Sequence, residues 1–124
     1  MISSSEILID KKAQAHLNQF GYVCIDFTSS EVIDELKRLH LELFDQEDKN
    51  GFKVGLDQTD KALVAKSTEV IKEKLAQSAE STFEGYKIFT ASYVVKYPGK
   101  DVIVPPHQDW TFTDESTYAS YTVW

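Results

Sequence analysis

The sequence predicts an α+β fold in which helices come first along the chain and a sheet follows. Between Asp10 and Ser81, apolar residues recur at helical spacing in three stretches, whereas β-branched and aromatic residues dominate from Tyr86 onward. A chain of 124 residues with 42% apolar content suits one modest domain, residues 1–124, and is too short for two. The expected arrangement is a set of N-terminal helices that covers a sheet built by the second half.

The first expected elements are a short helix from Asp10 to Phe20 and a strand that follows it. Gly21 stands where a helix commonly ends. The run Tyr22–Phe27 is short, β-prone and mostly apolar, and it lies between Gly21 and a polar cluster, as a buried strand would. Cys24, inside this run, has no His, Lys or Arg beside it and is expected to be a small buried hydrophobe.

A second helix is expected to begin at Thr28. Thr28 and Glu31 have the spacing of a capping box, in which each side chain accepts a backbone N–H that the helix leaves unpaired. The helix should end between Asp45 and Asn50. Its apolar stripe consists of Val32, Ile33, Leu36, Leu39, Leu43 and Phe44.

A third helix should follow a loop at Gly51–Gln58, which contains two glycines. Thr59 or Asp60 can cap this helix, because both side chains carry an acceptor oxygen. The helical pattern fades by Ser78–Ser81. Its apolar positions are Leu63, Val64, Val70, Ile71 and Leu75.

Strand signals dominate the second half of the chain. The run Tyr86–Tyr97 is rich in β-branched and aromatic residues and predicts a long strand, which Pro98-Gly99 would end with a turn. Val102–Val104 is again β-prone, and so is Thr117–Trp124.

Composition excludes several classes of partner. The net charge of −7 and the pI near 4.9 would repel a polyphosphate backbone, so a nucleic acid is not expected as a partner. No apolar run approaches the roughly 20 residues that span a bilayer, and the first residues lack the basic and apolar regions of a secretion signal. The single cysteine cannot form an intrachain disulfide. The expectation is a soluble, cytoplasmic protein with no membrane partner.

The segment His107-Gln108-Asp109 is the sharpest signal for chemistry. In an extended chain, residues i and i+2 project from one face, so an imidazole and a carboxylate could converge on one cation. They would supply two corners of the two-histidine, one-carboxylate triad that binds iron(II). The motif is short and also arises by chance, which leaves a solvated loop histidine as the alternative. His16 and His40 lack a ligand partner at suitable spacing and are expected in surface or packing roles.

The segment from Pro105 to Trp110 resembles the proline-flanked His-x-Asp segment of the phytanoyl-CoA dioxygenase family. The resemblance extends upstream to Phe20-Gly21-Tyr22-Val23 and the capped helix after Thr28, and downstream to Thr122-Val123-Trp124. It covers nearly the whole chain from Phe20 onward. The specific motifs lie between His107 and Trp124.

This resemblance implies an oxygenase that depends on iron(II) and 2-oxoglutarate and hydroxylates a small organic substrate with molecular oxygen. It implies a double-stranded β-helix of the jelly-roll, cupin-like kind, of which these residues would form an incomplete, N-terminal part. His107 and Asp109 would bind the metal, and no catalytic residue beyond these ligands is expected. Asp109 favours hydroxylation, because related halogenases lack this carboxylate. Trp124 would lie beside the cosubstrate, unless it is a core tryptophan at a strand end, and Trp110 would line the substrate pocket.

The main departure from the family pattern concerns the distal half of its site. Family members place a second metal histidine and a cosubstrate-binding arginine far downstream of His-x-Asp, and after Asp109 this sequence contains neither residue type. We expect a truncated dioxygenase domain that does not turn over alone and self-associates through open sheet edges. A split gene with a complementing partner, or a remnant with another role, would have the same short chain. The alternative function is a non-catalytic interaction module that binds a partner strand with the same fold.

Overall fold

The computed structural model of the chain describes residues 6–99, 102–109 and 111–124. Within these ranges it contains three α-helices and two short strands that form one antiparallel sheet, which confirms the α+β class. No helix in these ranges is long and apolar enough to cross a membrane. The elements are α1 (Lys11–Phe20), α2 (Ser30–Leu43), β1 (Phe52–Val54), a 3-10 turn (Gly55–Asp57), α3 (Lys61–Thr82) and β2 (Val94–Lys96).

Helix α1 ends at Phe20, as the sequence predicts, and begins one residue after the predicted start, because Asp10 is its cap. The Asp10 carboxylate accepts the backbone N–H groups of Lys12 and Ala13, which are unpaired within the helix itself. At the other end, Gly21 adopts a φ of 78° and donates its N–H to the Leu17 carbonyl. A glycine meets this left-handed conformation without a Cβ clash, so the helix ends where expected.

Helix α2 begins one residue later than predicted. Its cap is Ser29, whose Oγ accepts the Val32 N–H at 3.3 Å, and not Thr28. The Thr28 hydroxyl instead accepts a hydrogen bond from Ser78 Oγ at 2.9 Å. Because Ser78 lies on α3, this bond ties the start of α2 to the third helix. Thr28 is therefore used for a tertiary contact, and the neighbouring serine supplies the cap.

Helix α3 is capped by Asp60, whose carboxylate accepts the N–H groups of Ala62 and Leu63 at 3.0 Å each. It continues to Thr82, beyond the point at which the sequence pattern fades. Ala79, in the last turn of α3, is buried, so tertiary packing stabilises the end of the helix, where apolar residues no longer recur at helical spacing. The buried apolar side chains of the described residues are Leu8, Phe44, Ile71 and Ala79.

The sheet differs most from the prediction. Strand β1 lies in the segment for which the sequence predicts a loop, and it pairs with β2 so that Lys53 faces Val95. Gly55 follows β1 and donates its N–H to the Tyr93 carbonyl at 2.8 Å. A Cβ at this glycine would stand 3.0 Å from that same carbonyl oxygen. The close approach of two backbones explains why a glycine fits here.

The predicted strand Tyr22–Phe27 is not a strand in the structure. The segment belongs to neither helix nor sheet, and no backbone hydrogen bond joins it to other described residues. Tyr22 is 62% exposed, and Cys24 is exposed where the sequence predicts a buried residue. A strand requires a neighbour for its ladder, and the described part of the chain supplies none beside this segment.

The predicted long strand Tyr86–Tyr97 is also reduced, because only Val94–Lys96 has a ladder partner. Residues 102–109 and 111–124 contain neither helix nor strand. The C-terminal part of the chain that carries the His107 motif is therefore attached to a helical body with a very small sheet.

Candidate metal site at His107 and Asp109

The candidate site begins with the backbone in front of it. Pro105 and Pro106 have φ fixed by their rings, which restricts the chain that leads into His107. The His107 ring turns back so that Nδ1 lies 2.8 Å from the Pro105 carbonyl oxygen. A carbonyl can only accept, so Nδ1 carries the hydrogen and donates it.

This hydrogen bond determines what the other ring nitrogen can do. In a neutral imidazole with hydrogen on Nδ1, the nitrogen Nε2 has a free lone pair. Metal-binding histidines generally donate their second ring N–H to a carbonyl or carboxylate, which fixes the ring orientation and raises ligand basicity. The Pro105 carbonyl occupies the position of such an outer partner for His107.

His107 and Asp109 meet on one side of the chain, as the i, i+2 spacing predicts. Nε2 of His107 lies 3.3 Å from Oδ1 of Asp109. A lone pair and a carboxylate oxygen repel each other at this distance unless a proton or a metal cation lies between them. Metal bonds to imidazole nitrogen and carboxylate oxygen are about 2.0–2.2 Å long, so two of them at a right angle place the ligand atoms about 3 Å apart. The pair thus fits two adjacent positions on one cation.

The described residues do not bring a third ligand to this pair. Among them, no group of three or more His, Cys, Asp and Glu side chains is arranged to hold a metal ion. His16 packs against Phe20 and Tyr22, with ring centroids 4.6 Å and 5.5 Å away. His16 is exposed and contacts two aromatic rings, which agrees with the surface or packing role that the sequence predicts for it.

The second helical histidine and the only arginine also have other contacts. His40 lies against Phe44 and Tyr93, at centroid distances of 5.1 Å and 5.0 Å. Arg38, the single arginine of the sequence, pairs with Glu42 one turn along α2. Neither side chain is available to the His107 pair in this arrangement.

The candidate ligands are open to solvent. The side chains of His107 and Asp109 are 54% and 38% exposed, and Trp124 is 84% exposed. Trp124 makes no ring contact with His107 within the described residues, so its role beside a cosubstrate stays a prediction. The predicted pocket residue Trp110 lies outside the described residues. A site for oxygen chemistry would need a further surface to exclude water from these ligands.

A groove of about 920 Å³ lies elsewhere on the molecule, and the sequence does not indicate it. It runs between α1, the extended segment 22–26 and the end of α3. His16 and Cys24 both line it. The groove is lined by residues from three separate parts of the chain, so its position follows from tertiary structure and not from any local signal.

Comparisons with protein-family models, curated proteins and solved structures found no match to this chain. What the arrangement can do chemically therefore rests on its own residues. One neutral imidazole and one carboxylate can hold a divalent first-row metal at two adjacent positions and leave the remaining positions open.

Proposed function

We propose that the chain is part of an iron(II)- and 2-oxoglutarate-dependent dioxygenase that hydroxylates a small organic substrate. The observation that supports this proposal best is the geometry of His107, with Nδ1 donating to Pro105 and Nε2 3.3 Å from Asp109. An orienting carbonyl, a free imidazole nitrogen and an adjacent carboxylate are the parts expected of two arms of a facial triad.

Iron(II) with bound 2-oxoglutarate would supply the oxidising chemistry, in which molecular oxygen gives one atom to succinate and the other to the hydroxylated substrate, with release of carbon dioxide. The hydrogen bond from Nδ1 to the Pro105 carbonyl would fix the orientation of the His107 ring. Asp109 would offset part of the metal charge and occupy the position that distinguishes a hydroxylase from a halogenase. Trp124 would cover the cosubstrate, and Trp110 would face the substrate.

The proposal assigns the remaining parts of the site to polypeptide other than these 124 residues. A facial triad needs a second histidine, and the distal carboxylate of 2-oxoglutarate needs a cationic anchor such as arginine. The sequence has neither residue type after Asp109. The added polypeptide would also complete a double-stranded β-helix and cover the exposed ligands, because the described sheet has only two strands.

The first experiment measures metal binding by the chain itself under anaerobic conditions. Titration with iron(II), followed by calorimetry, should show weak binding that is lost in both His107→Ala and Asp109→Ala, because each change removes one of two ligands. His16→Ala is the matched control, since His16 packs on aromatic rings in α1. Equal binding by the His107→Ala and His16→Ala variants would refute the ligand assignment.

The second experiment measures turnover. With iron(II), 2-oxoglutarate and oxygen, the 124-residue chain should release no succinate above the His107→Ala level, because the anchor and third ligand are missing. Once the complementary polypeptide is supplied, succinate release should appear, and either His107→Ala or Asp109→Ala should abolish it. Trp124→Ala should mainly weaken 2-oxoglutarate binding. Full activity of the Asp109→Ala variant with normal iron content would contradict the assignment of the carboxylate.

The alternative is a non-catalytic interaction module. The observation in its favour is the extended segment Tyr22–Phe27, which is β-prone and has no strand partner among the described residues. Metal binding separates the two functions. If the chain is an interaction module, the unchanged protein should bind iron(II) no more tightly than its His107→Ala variant.

A further inference from the structure

The part of the chain that carries the candidate metal pair has few attachments to the helical body. Apart from Thr113, every described residue from 105 to 124 is exposed. The hydrogen bonds and the ion pair that residues 102–124 make with described residues all stay within that range. Neither hydrogen bonding nor burial therefore explains how His107 and Asp109 are held relative to the three helices.

A ring contact joins this part of the chain to the body. Phe112 stacks on Phe89, with ring centroids 5.7 Å apart and an angle of 19° between the ring planes. Both values fit the offset stacking that aromatic pairs prefer. Within the described part of the chain, no other aromatic pair links residues 102–124 to the residues before them. The stack is therefore the contact that attaches the end of the metal-binding segment.

Phe89 is itself held on the helical body from both sides. Just before it in the sequence, Tyr86 packs its ring against Phe83, the residue after α3, with centroids 5.7 Å apart. Just after it, the Ala91 carbonyl accepts a hydrogen bond at 2.8 Å from the hydroxyl of Thr68, which lies on α3. Phe89 is therefore a fixed point on the body, and a ring that stacks on it is fixed with it.

The chain in front of the metal pair is attached as well. Tyr97, the residue after β2, donates its N–H to the Gly51 carbonyl at 2.9 Å. Two prolines then restrict the backbone that leads into His107. The ligands thus lie on a loop that is held at Tyr97 and at Phe112, and closing this loop removes freedom that a chain attached at one end would keep. Less entropy then remains to be lost when a metal fixes both ligands.

We infer that Phe89 and Phe112 are positioning residues of the candidate metal site, because their stacked rings hold the loop that presents His107 and Asp109. The inference rests on the proposed function, since it concerns the same metal pair. The two rings are 61% and 59% exposed, so the stack is weaker than a contact in a core. A contact cannot bias the ligands by more than its own free energy. Removing the stack should therefore lower the affinity for iron(II) by about two- to tenfold.

The first measurement is anaerobic calorimetry of iron(II) binding by the full chain. Phe89→Ala and Phe112→Ala should each weaken binding by about two- to tenfold. The double variant should bind no more weakly than either single variant, because each substitution removes the same contact. Phe112→Tyr keeps the ring and should bind like the unchanged chain. The matched control is Tyr118→Ala, which removes a ring that is 64% exposed in the same part of the chain and should leave the affinity unchanged.

The second measurement is made without metal. Heteronuclear NOE values of backbone ¹⁵N nuclei report motion on the picosecond-to-nanosecond timescale. In Phe89→Ala these values should fall for residues 107–109, which become more mobile, and should stay the same in α2 and α3. Tyr118→Ala should change neither region. An equal fall in the helices would mean that Phe89 supports the whole body, and it would overturn the inference.

The outcomes separate this inference from the proposed function. If Phe89→Ala and Phe112→Ala bind iron(II) like the unchanged chain while His107→Ala does not, the positioning role is wrong and the ligand assignment stands. The positioning role is also wrong if residues 107–109 are no more mobile in Phe89→Ala, or if the losses add in the double variant. Binding that His107→Ala retains refutes the ligand assignment, and the inference fails with it, because no metal pair is then left to position.

Discussion

Gln14 holds Ile7 and Leu8 against α1, and its replacement should lower the free energy of unfolding substantially. Its side chain is 2% exposed, and its Oε1 accepts the backbone N–H groups of Ile7 and Leu8 at 2.8 Å each. Its Nε2 donates to Asn18 Oδ1, which fixes the orientation of the amide. Gln14→Met keeps the length of the side chain and removes the acceptor.

The cost follows from the burial of the two donors. Leu8 is 3% exposed, so water cannot replace the lost acceptor, and an unsatisfied buried N–H costs about 1–3 kcal/mol. Ile7 is only partly buried, so the loss there is closer to that of an ordinary hydrogen bond, about 0.5–1.5 kcal/mol. Together these give a decrease of about 1.5–4.5 kcal/mol in the free energy of unfolding.

The assay is urea unfolding followed by helical circular dichroism. With a urea slope of about 2 kcal/mol/M, the midpoint for Gln14→Met should fall by roughly 1–2 M. Gln19→Met is the control, because Gln19 is exposed on the same helix and should change stability by less than about 0.5 kcal/mol. Equal midpoints for the two variants would show that the Gln14 acceptor is not needed.

Two further predictions concern other polar groups. Burial raises the pKa of Tyr93 above its ordinary value of 10.0, so its hydroxyl stays protonated and donates to the Leu36 carbonyl at 2.9 Å. Tyr93→Phe removes this hydrogen bond and should lower the free energy of unfolding, measured by urea titration, by about 1 kcal/mol. Backbone N–H groups lower the pKa of Asp10 below 3.8, and the Lys74 ammonium lowers that of Glu35 below 4.5. Because these pKa values are lower in the folded state, the two carboxylates stabilise the protein at neutral pH, and this stabilisation should be lost as the pH falls through their folded-state pKa values. Lys74→Met removes the cause of the Glu35 shift, so the melting temperature of this variant should depend less on pH in the same acidic range.

The helices could be predicted from the sequence because their signals are local. Gly21 and Asp60 each act on the backbone a few residues away, and both are used as expected. Asp10, predicted as the first residue of its helix, is the residue that caps it. The predicted cap of α2 is one residue too early, because Thr28, Ser29 and Ser30 follow one another and each has a hydroxyl that can cap a helix. The contact of Thr28 with α3 decides between them, and it is tertiary.

The strands could not be predicted in the same way, because a strand exists only with a partner. Tyr22–Phe27 has the composition of a strand and no neighbour among the described residues, whereas Phe52–Val54 has a weak pattern and pairs with β2. At the candidate site, the spacing of His107 and Asp109 indicates that they share a face. The hydrogen bond to the Pro105 carbonyl depends on the local backbone path, and nothing in the sequence indicates it.

The contacts between the two ends of the helical body have a consequence for the order of folding. Leu8 forms a bridge with Phe83, and Lys11 bonds to Glu84, 73 residues further along the chain. Closing so long a loop costs chain entropy before any contact compensates for it, whereas the turns of α2 and α3 close over a few residues. We therefore expect α1 to dock last as the protein folds. Its detachment should be the first step of unfolding, leaving α2 and α3 packed together behind it.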